Sequence, residues 1–239
     1  MEWQDQGILL SVRRHGEGAA IIEVLTEFHG RHAGLVRGGG SRKNAALLQP
    51  GNQLALNWRA RLEDQLGTFN IELKQARSAS LLSTRLKLYG FNALSSMLVK
   101  YLPEREPNAA LYTSCLALLK RFLSGEQWQS SYCHFELELL ISIGYGVDLT
   151  QCAVSGQTHD LTFVSPKTGR AVGSDAAKGW EDKLLKLPKF LLGDARSDIS
   201  PEDFRDSLRL SGYFFETFVP ANPPKLPEAR QRLAEILCR

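Results

Sequence analysis

Leu54-Ala55-Leu56-Asn57-Trp58-Arg59-Ala60-Arg61-Leu62 sets Leu54, Leu56, Trp58, Ala60 and Leu62 at alternate positions, with Asn57, Arg59 and Arg61 between them. Successive side chains of a strand point to opposite faces, so this period of two predicts a strand with one apolar and one basic face. Downstream, Phe69, Ile71 and Leu73 alternate with Asn70, Glu72 and Lys74 to predict another. Upstream, residues 8–12 and 19–25 are Ile- and Val-containing runs separated by Arg13-Arg14-His15-Gly16-Glu17-Gly18, whose glycines suit a hairpin turn. A further run over 33–37 follows Gly30 and stops at Gly38-Gly39-Gly40, which predicts a mobile loop reaching about Pro50-Gly51. Five short strands within residues 1–76 fit a small closed barrel, of which the OB-fold is the common five-stranded form.

Beyond residue 78 the apolar period lengthens to that of a helix. Leu86, Gly90, Ala93, Leu94, Met97 and Tyr101 share a stripe stopped by Pro103; Leu111, Cys115, Leu118, Leu119 and Phe122 form a second, stopped by Gly125. Tyr132, Phe135, Leu139, Leu140 and Ile143 form a third, stopped by Gly144. Residues 148–180 read as loops, with a short apolar piece at 161–164. Ser200-Pro201-Glu202-Asp203 supplies an N-cap, a proline at the first helical position and acidic residues for the first turn. Phe204, Leu208, Phe215 and Phe218 continue that helix. Pro220, Pro223, Pro224 and Pro227 then forbid regular structure before a tail helix over 229–238. The expected fold class is α+β: an OB-fold barrel over 1–79, then a mainly helical domain over 80–239 with an insertion at about 148–180.

The 239 residues are 43% apolar and 23% charged, a balance that supports a buried core and excludes global disorder. Residues 1–6 carry Glu2 and Asp5 without Lys or Arg, the wrong charge for a leader, and no apolar run approaches the roughly 18 residues of a membrane span. A cytoplasmic protein without membrane contact is expected. Cys115, Cys133, Cys152 and Cys238 form no CxxC pair, so they read as neither a disulfide framework nor a zinc knuckle. The net charge of +3 is small but unevenly spread. Residues 28–62 contain no Asp or Glu, while Arg31, Arg37, Arg42, Lys43, Arg59 and Arg61 supply six cations. Such a surface is either an ordinary solvated face or one that gains affinity by displacing counterions from a nucleic-acid backbone. The barrel favours the second reading, since OB strands and loops commonly bind oligonucleotides, DNA or RNA.

Enzyme signatures are missing. The segment 34–40 lacks the Gly-Lys-Ser/Thr ending of a P-loop, and GxSxG, HExxH and SxxK do not occur. His15, His29, His32, His134 and His159 are scattered, and no catalytic residue is expected. Trp58 is a candidate base-stacking platform, yet its parity with Leu54 and Leu56 points to the core; Trp3, Phe28 and Phe69 are no better placed for stacking. Phe204, Phe214, Phe215 and Phe218 read mainly as core, with an excess that would line a groove for an apolar peptide.

Several segments stand out by their order and spacing: Glu2-Trp3-Gln4-Asp5-Gln6-Gly7-Ile8-Leu9-Leu10, Gly30-Arg31-His32-Ala33-Gly34-Leu35-Val36-Arg37-Gly38, Tyr101-Leu102-Pro103-Glu104-Arg105-Glu106-Pro107, Gly144-Tyr145-Gly146-Val147-Asp148-Leu149 and Ser165-Pro166-Lys167-Thr168-Gly169-Arg170. Together they resemble the RecO family of bacterial recombination mediators over nearly the whole chain, with the flavour of its alphaproteobacterial branch. The resemblance implies an N-terminal OB-fold and a helical domain with a zinc-finger-like insertion. It also implies binding of single- and double-stranded DNA, annealing of complementary strands, and loading of recombinase with RecR onto DNA coated by single-strand-binding protein. The family's basic loop after the third strand corresponds to Arg37, Arg42 and Lys43.

Many members place two CxxC pairs where this chain has Cys152, Ser155, Gly173 and Ala176. One thiolate cannot hold a tetrahedral zinc and His159 adds at most one ligand, so a metal-free lobe packed by Leu161, Phe163 and Val164 is expected, with no cofactor. The acidic, apolar-ended tail of the single-strand-binding protein suits a greasy groove rimmed by cations, and Lys120 and Arg121 beside Phe122 are its candidate site. The rival reading is a protein-interaction adaptor with little direct DNA binding.

Overall fold

A computed structural model describes residues 1–124, 127–193, 199–220 and 225–238, without the side chain of Lys43. Gly125, Pro223 and Pro224, assigned above to a helix stop and an irregular segment, lie outside the described residues. The chain divides into two compact units, Met1–Ser124 and Gly125–Arg239.

The first unit is built on β1 (Glu2–His15), β2 (Ala19–Thr26), β3 (Arg31–Val36), β4 (Gln53–Arg59) and β5 (Thr68–Gln75). These close into a barrel of order β1-β2-β3-β5-β4, the five-stranded OB arrangement expected from the alternation. Closure is parallel between β3 and β5, where Leu35 faces Thr68 and its N–H donates to Gly67 O at 3.1 Å. The long β1 serves two neighbours: Glu2 to Ile8 pair with β4 and Gly7 to His15 with β2. An irregularity between Leu9 and Ser11 bends it from one to the other. It leaves Leu10 outside the ladder, and its carbonyl accepts a 2.7 Å hydrogen bond from Ser95 Oγ. Leu9, Ile22, Val24, Leu54, Leu56, Trp58 and Phe69 fill the barrel.

One strand and one loop expectation are corrected. β4 ends at Arg59, so Arg61 does not share its basic face, and Leu62 is 56% exposed. The ladder stops there because the chain must turn toward β5, and Trp58 Nε1 holds that connector by donating to Leu66 O at 3.1 Å. The glycine-rich segment is not a loop to Pro50: α1 (Arg42–Leu47) starts immediately after it. Ser41 caps α1 by accepting the Asn44 N–H at 3.3 Å, and Leu48 reaches the core. The glycines still have a local reason. A Cβ on Gly39 would stand 2.9 Å from the Ala20 backbone nitrogen, so only glycine lets this turn lie against β2.

Three helices complete the unit: α2 (Ser78–Leu81), α3 (Arg85–Tyr101) and α4 (Ala109–Ser124). The expected stripes are their buried faces, with Ala93, Leu94 and Met97 on α3 and Leu111, Cys115 and Leu119 on α4. The change of period near residue 79 and the packing division at Ser124 therefore fall at different places, because these helices cluster with the barrel.

The second unit contains α5 (Gln129–Ser142), β6 (Leu161–Val164), β7 (Ala171–Gly173), α6 (Ser174–Ala177), β8 (Leu185–Lys186), α7 (Pro201–Thr217) and α8 (Glu228–Leu237). The loop-rich insertion folds as a three-stranded sheet of order β7-β6-β8, with Leu161 and Val164 buried and Phe163 half-buried. Ser200 and Asp203 form the expected capping box of α7. A buried pair ties α5 to α8: Arg230 Nε donates to Glu136 Oε1 at 3.0 Å and Nη2 to Oε2 at 2.9 Å. Ser211 of α7 joins it through hydrogen bonds with both partners.

Gly16 and Gly30 share a left-handed backbone, with φ of 58° and 63°. A Cβ on Gly16 would meet open space, whereas one on Gly30 would overlap the Glu106 carbonyl. Gly16→Ala is therefore expected to cost about 1 kcal/mol, the conformational penalty alone, and Gly30→Ala clearly more. Paired urea melts check this; equal losses would contradict the close approach at Gly30.

Candidate nucleic-acid interface

The six cations of the acid-free stretch do not form one patch. β3 carries Arg31 at its start and is followed by Arg37, and six residues of strand span about 20 Å. Arg37 and α1's first residue, Arg42, are exposed at the end of the barrel where β1 turns into β2. Register brings Arg14, Ala20 and Val36 into line across three strands, and Gly40 N–H reaches Gly18 O at 3.4 Å. The turn arginines Arg13 and Arg14 therefore belong to the same end, with His15 beside them, all exposed. Arg13, Arg14, Arg37 and Arg42 have no carboxylate partner among the described residues. Sequence reasoning read Arg13 and Arg14 only as turn residues; the strand pairing that makes them neighbours of Arg37 was the missing information. Lys43 follows Arg42 in α1, but its side chain is outside the described residues.

Arg31, Arg59 and Arg61 lie toward the opposite end. Arg31 is committed to internal partners: its Nη1 contacts Glu23 Oε2 at 2.5 Å and Glu104 Oε1 at 3.2 Å, and its Nε donates to Leu102 O at 2.7 Å. With a side chain only 12% exposed, it is a tie between segments, which corrects its expected place on a phosphate-contacting surface. Arg59 is exposed and pairs with Glu2 at 2.8 Å, a contact that solvent screens. Arg61 is exposed beyond the strand.

The candidate partner groove is also corrected. Phe122 is fully buried, because its position on the Leu111–Cys115–Leu118–Leu119 stripe turns it into the core. Lys120 is exposed and Arg121 half-buried, but Phe122 presents no apolar surface beside them.

A cavity of about 520 Å³ opens at the Arg59 end. Trp3 stacks on His29, with centroids 4.0 Å apart and planes 8° from parallel, and lies 5.7 Å from Trp58. Asp5 holds this corner, since its carboxylate contacts His29 Nδ1 and accepts the Phe28 N–H, both at 3.0 Å. Trp58 is 2% exposed and Phe28 65% exposed, so Trp58 is core, as its parity indicated, while Phe28 stands at the rim. His32 is 3% exposed, edge-on to Trp3 and Trp58, and neither ring nitrogen has a hydrogen-bond partner. Arg105 donates to the Glu63 and Gln65 carbonyls and sets its guanidinium 6.0 Å from the Trp58 ring.

Two of the positions expected to hold zinc, Ser155 and Gly173, do lie beside Cys152, but without a ligand set. Cys152 Sγ, 1% exposed, accepts N–H groups from Gly173 at 3.3 Å and Ser155 at 3.5 Å. Ser155, Gly173 and Ala176 bring no imidazole or thiolate, His159 pairs with Asp160, and no three His, Cys, Asp or Glu side chains converge among the described residues. These residues do not fit a structural zinc.

Residues 1–77 match the family model for the Recombination protein O N terminal, and residues 82–227 match that for the Recombination protein O C terminal. The chain belongs to the RecO family. The DNA repair protein RecO of Cereibacter sphaeroides is 52% identical over 241 residues, covering 100% of both chains. That of Ruegeria sp. is 52% identical over 243 residues, covering 100% of this chain and 99% of its own. That of Rhodospirillum rubrum is 43% identical over 245 residues, covering 100% and 97%. RecO membership gives this chain a role in DNA repair and recombination and makes DNA its interaction partner. No helix of the described residues is long and apolar enough to cross a membrane.

Two measurements bear on these sites. Burial first, then Arg105 and His29, lower the His32 pKa to about 4 from 6.5. The unfolded chain therefore takes up this proton first on acidification, so stability from neutral His32 is full above about pH 6.5 and drains as pH falls toward 4. Between pH 7 and 5 the wild type is expected to lose about 2 kcal/mol that His32→Phe does not, as read by urea melts at both values. Elemental analysis is expected to find far less than one zinc per chain, with a melting temperature insensitive to chelators. Near-stoichiometric zinc and unfolding on chelation would reverse the reading of the insertion.

Proposed function

We propose that this chain is a non-enzymatic DNA-binding mediator. It binds single- and double-stranded DNA, anneals complementary strands, and works with RecR to load recombinase onto DNA coated by single-strand-binding protein, whose C-terminal tail it engages. The observation that carries the DNA reading is the gathering of Arg13, Arg14, Arg37 and Arg42, exposed and without carboxylate partners, at one end of the barrel. Phosphate contacts of this kind are indifferent to sequence and suit both single and paired strands. Annealing asks only that backbone repulsion be lowered and two strands be aligned, so no bond is made or broken and no catalytic group is required. We take residues 1–79 as the module that touches DNA, with Lys43 beside Arg42 as a further phosphate contact and Arg59 and Arg61 as secondary ones.

Gel-shift titrations at several salt concentrations test the proposal. Arg37→Ala/Arg42→Ala is expected to stay folded, to weaken all sequences about equally, and to flatten the log K against log salt slope by roughly 1.4 to 1.8 for two lost contacts. Arg59→Ala/Arg61→Ala is expected to change the slope less, since Arg59 already has a carboxylate partner. An unchanged slope in the first variant would move the DNA path off this end; weak, salt-independent binding by the wild type would favour the adaptor reading.

A further inference from the structure

We propose that the cavity at the Arg59 end of the barrel receives one unpaired nucleobase of a bound DNA strand, between the Phe28 rim and the His29–Trp3 stack, with His32 reading its edge. This inference rests on the DNA-binding reading and adds a base-dependent site to contacts that are otherwise with phosphate.

Four observations converge. The cavity volume, about 520 Å³, falls within the range of sites that enclose small ligands. Its lining includes the rings of Trp3, Phe28, His29, His32 and Trp58, and base–aromatic stacking is the usual way a protein holds an unpaired base without demanding a sequence. Phe28 is a 65% exposed aromatic whose backbone is pinned by Asp5, so its ring is presented from a fixed corner. His32, finally, is a buried polar ring with no partner for either nitrogen. A neutral imidazole has one donor and one acceptor, and buried groups of this kind normally find partners. A nucleobase edge carries both donors and acceptors, so the imidazole nitrogen that faces the cavity finds a complement there whichever tautomer His32 adopts.

Other occupants fit less well. An aromatic box often takes a quaternary or methylated ammonium, but the Arg105 guanidinium stands 6.0 Å from the Trp58 ring and repels one. An acidic peptide would meet Glu2 and Glu63 in the lining, and a flat heterocycle linked to phosphate would not need to approach them with its charge. Arg105 has no carboxylate partner among the described residues, which leaves its charge for the phosphate next to the inserted base. A base inside a duplex cannot reach such a pocket, so the site favours single strands over paired ones.

The test compares binding of the full-length protein, by fluorescence anisotropy, to an oligothymidylate of about 20 nucleotides, its abasic counterpart, a duplex of the same length, and free thymidine monophosphate. The wild type is expected to bind the base-bearing strand about 5- to 100-fold more tightly than the abasic one. Phe28→Ala, an exposed substitution, and His32→Phe, which keeps ring packing, should each shrink that ratio and leave abasic and duplex affinity and the melting temperature unharmed. The mononucleotide should compete only far above the strand's own dissociation constant. Equal wild-type affinity for base-bearing and abasic strands would overturn the pocket while leaving phosphate binding intact. Equal losses on all three polymers in either variant, or a mononucleotide that binds as tightly as the strand, would overturn it too. Failure of the wild type to bind any polymer at low salt would instead refute the DNA reading itself.

Discussion

The Arg31 guanidinium is the joint on which one end of the barrel depends. It reaches Glu23 on β2, the Leu102 carbonyl at the end of α3, and Glu104 in the segment that follows. Only arginine offers a rigid fork with enough donors to satisfy three acceptors arriving from different directions. Around that joint the backbone closes further: Arg105 N–H donates to Arg31 O at 2.8 Å, and Gly30 touches the Glu106 carbonyl. Arg105 is held at a φ of 64°, a conformation a non-glycine residue adopts only under constraint. That orientation lets its side chain span to the β4–β5 connector and stand over Trp58. The aromatic cavity, the connector and the 103–107 segment are thus one mechanical unit.

The barrel consequently has two unlike ends. One is exposed and cationic, built from the β1–β2 turn, the glycine corner and the start of α1. The other is aromatic, with its acidic groups largely engaged by His29, Arg31 and Arg59. The first carries charge complementary to backbone phosphate, the second offers flat apolar surface, and the length of β3 separates them. A strand lying along the barrel meets two chemistries in succession, which a uniformly basic face would not provide.

What the sequence made legible is what depends on local period. The alternation at Leu54, Leu56 and Trp58, the stripes of α3 and α4, and the Ser200–Asp203 cap are each decided within a few residues, and each stands in the structure. Roles set by distant partners were not legible. Arg31 looked like any other member of an acid-free run because Leu102 and Glu104, more than 70 positions away, are what occupy it. Phe28 and Trp3 looked unpromising because the β2–β3 corner and the first strand meet only in the closed barrel. Charge counted along the chain also hid the strand direction that sends Arg37 and Arg59 to opposite ends. Phe122 was the reverse case: its own stripe already said buried, and the adjacent cations drew the reading toward the surface.

The bend in β1 shows how far the barrel can be considered on its own. Its strands finish at Gln75, yet the Leu10 carbonyl released by that bend is satisfied from α3, by Ser95. Arg31 likewise finds two of its three acceptors beyond residue 100. Cut free after β5, the barrel would keep a buried acceptor without its donor and a cation without most of its partners, each a loss on the scale of a kilocalorie or more. The border drawn by strand and helix content is therefore not a border at which the molecule can be divided. When homologous segments are exchanged within such a lineage, the barrel and its first two long helices should be inherited together.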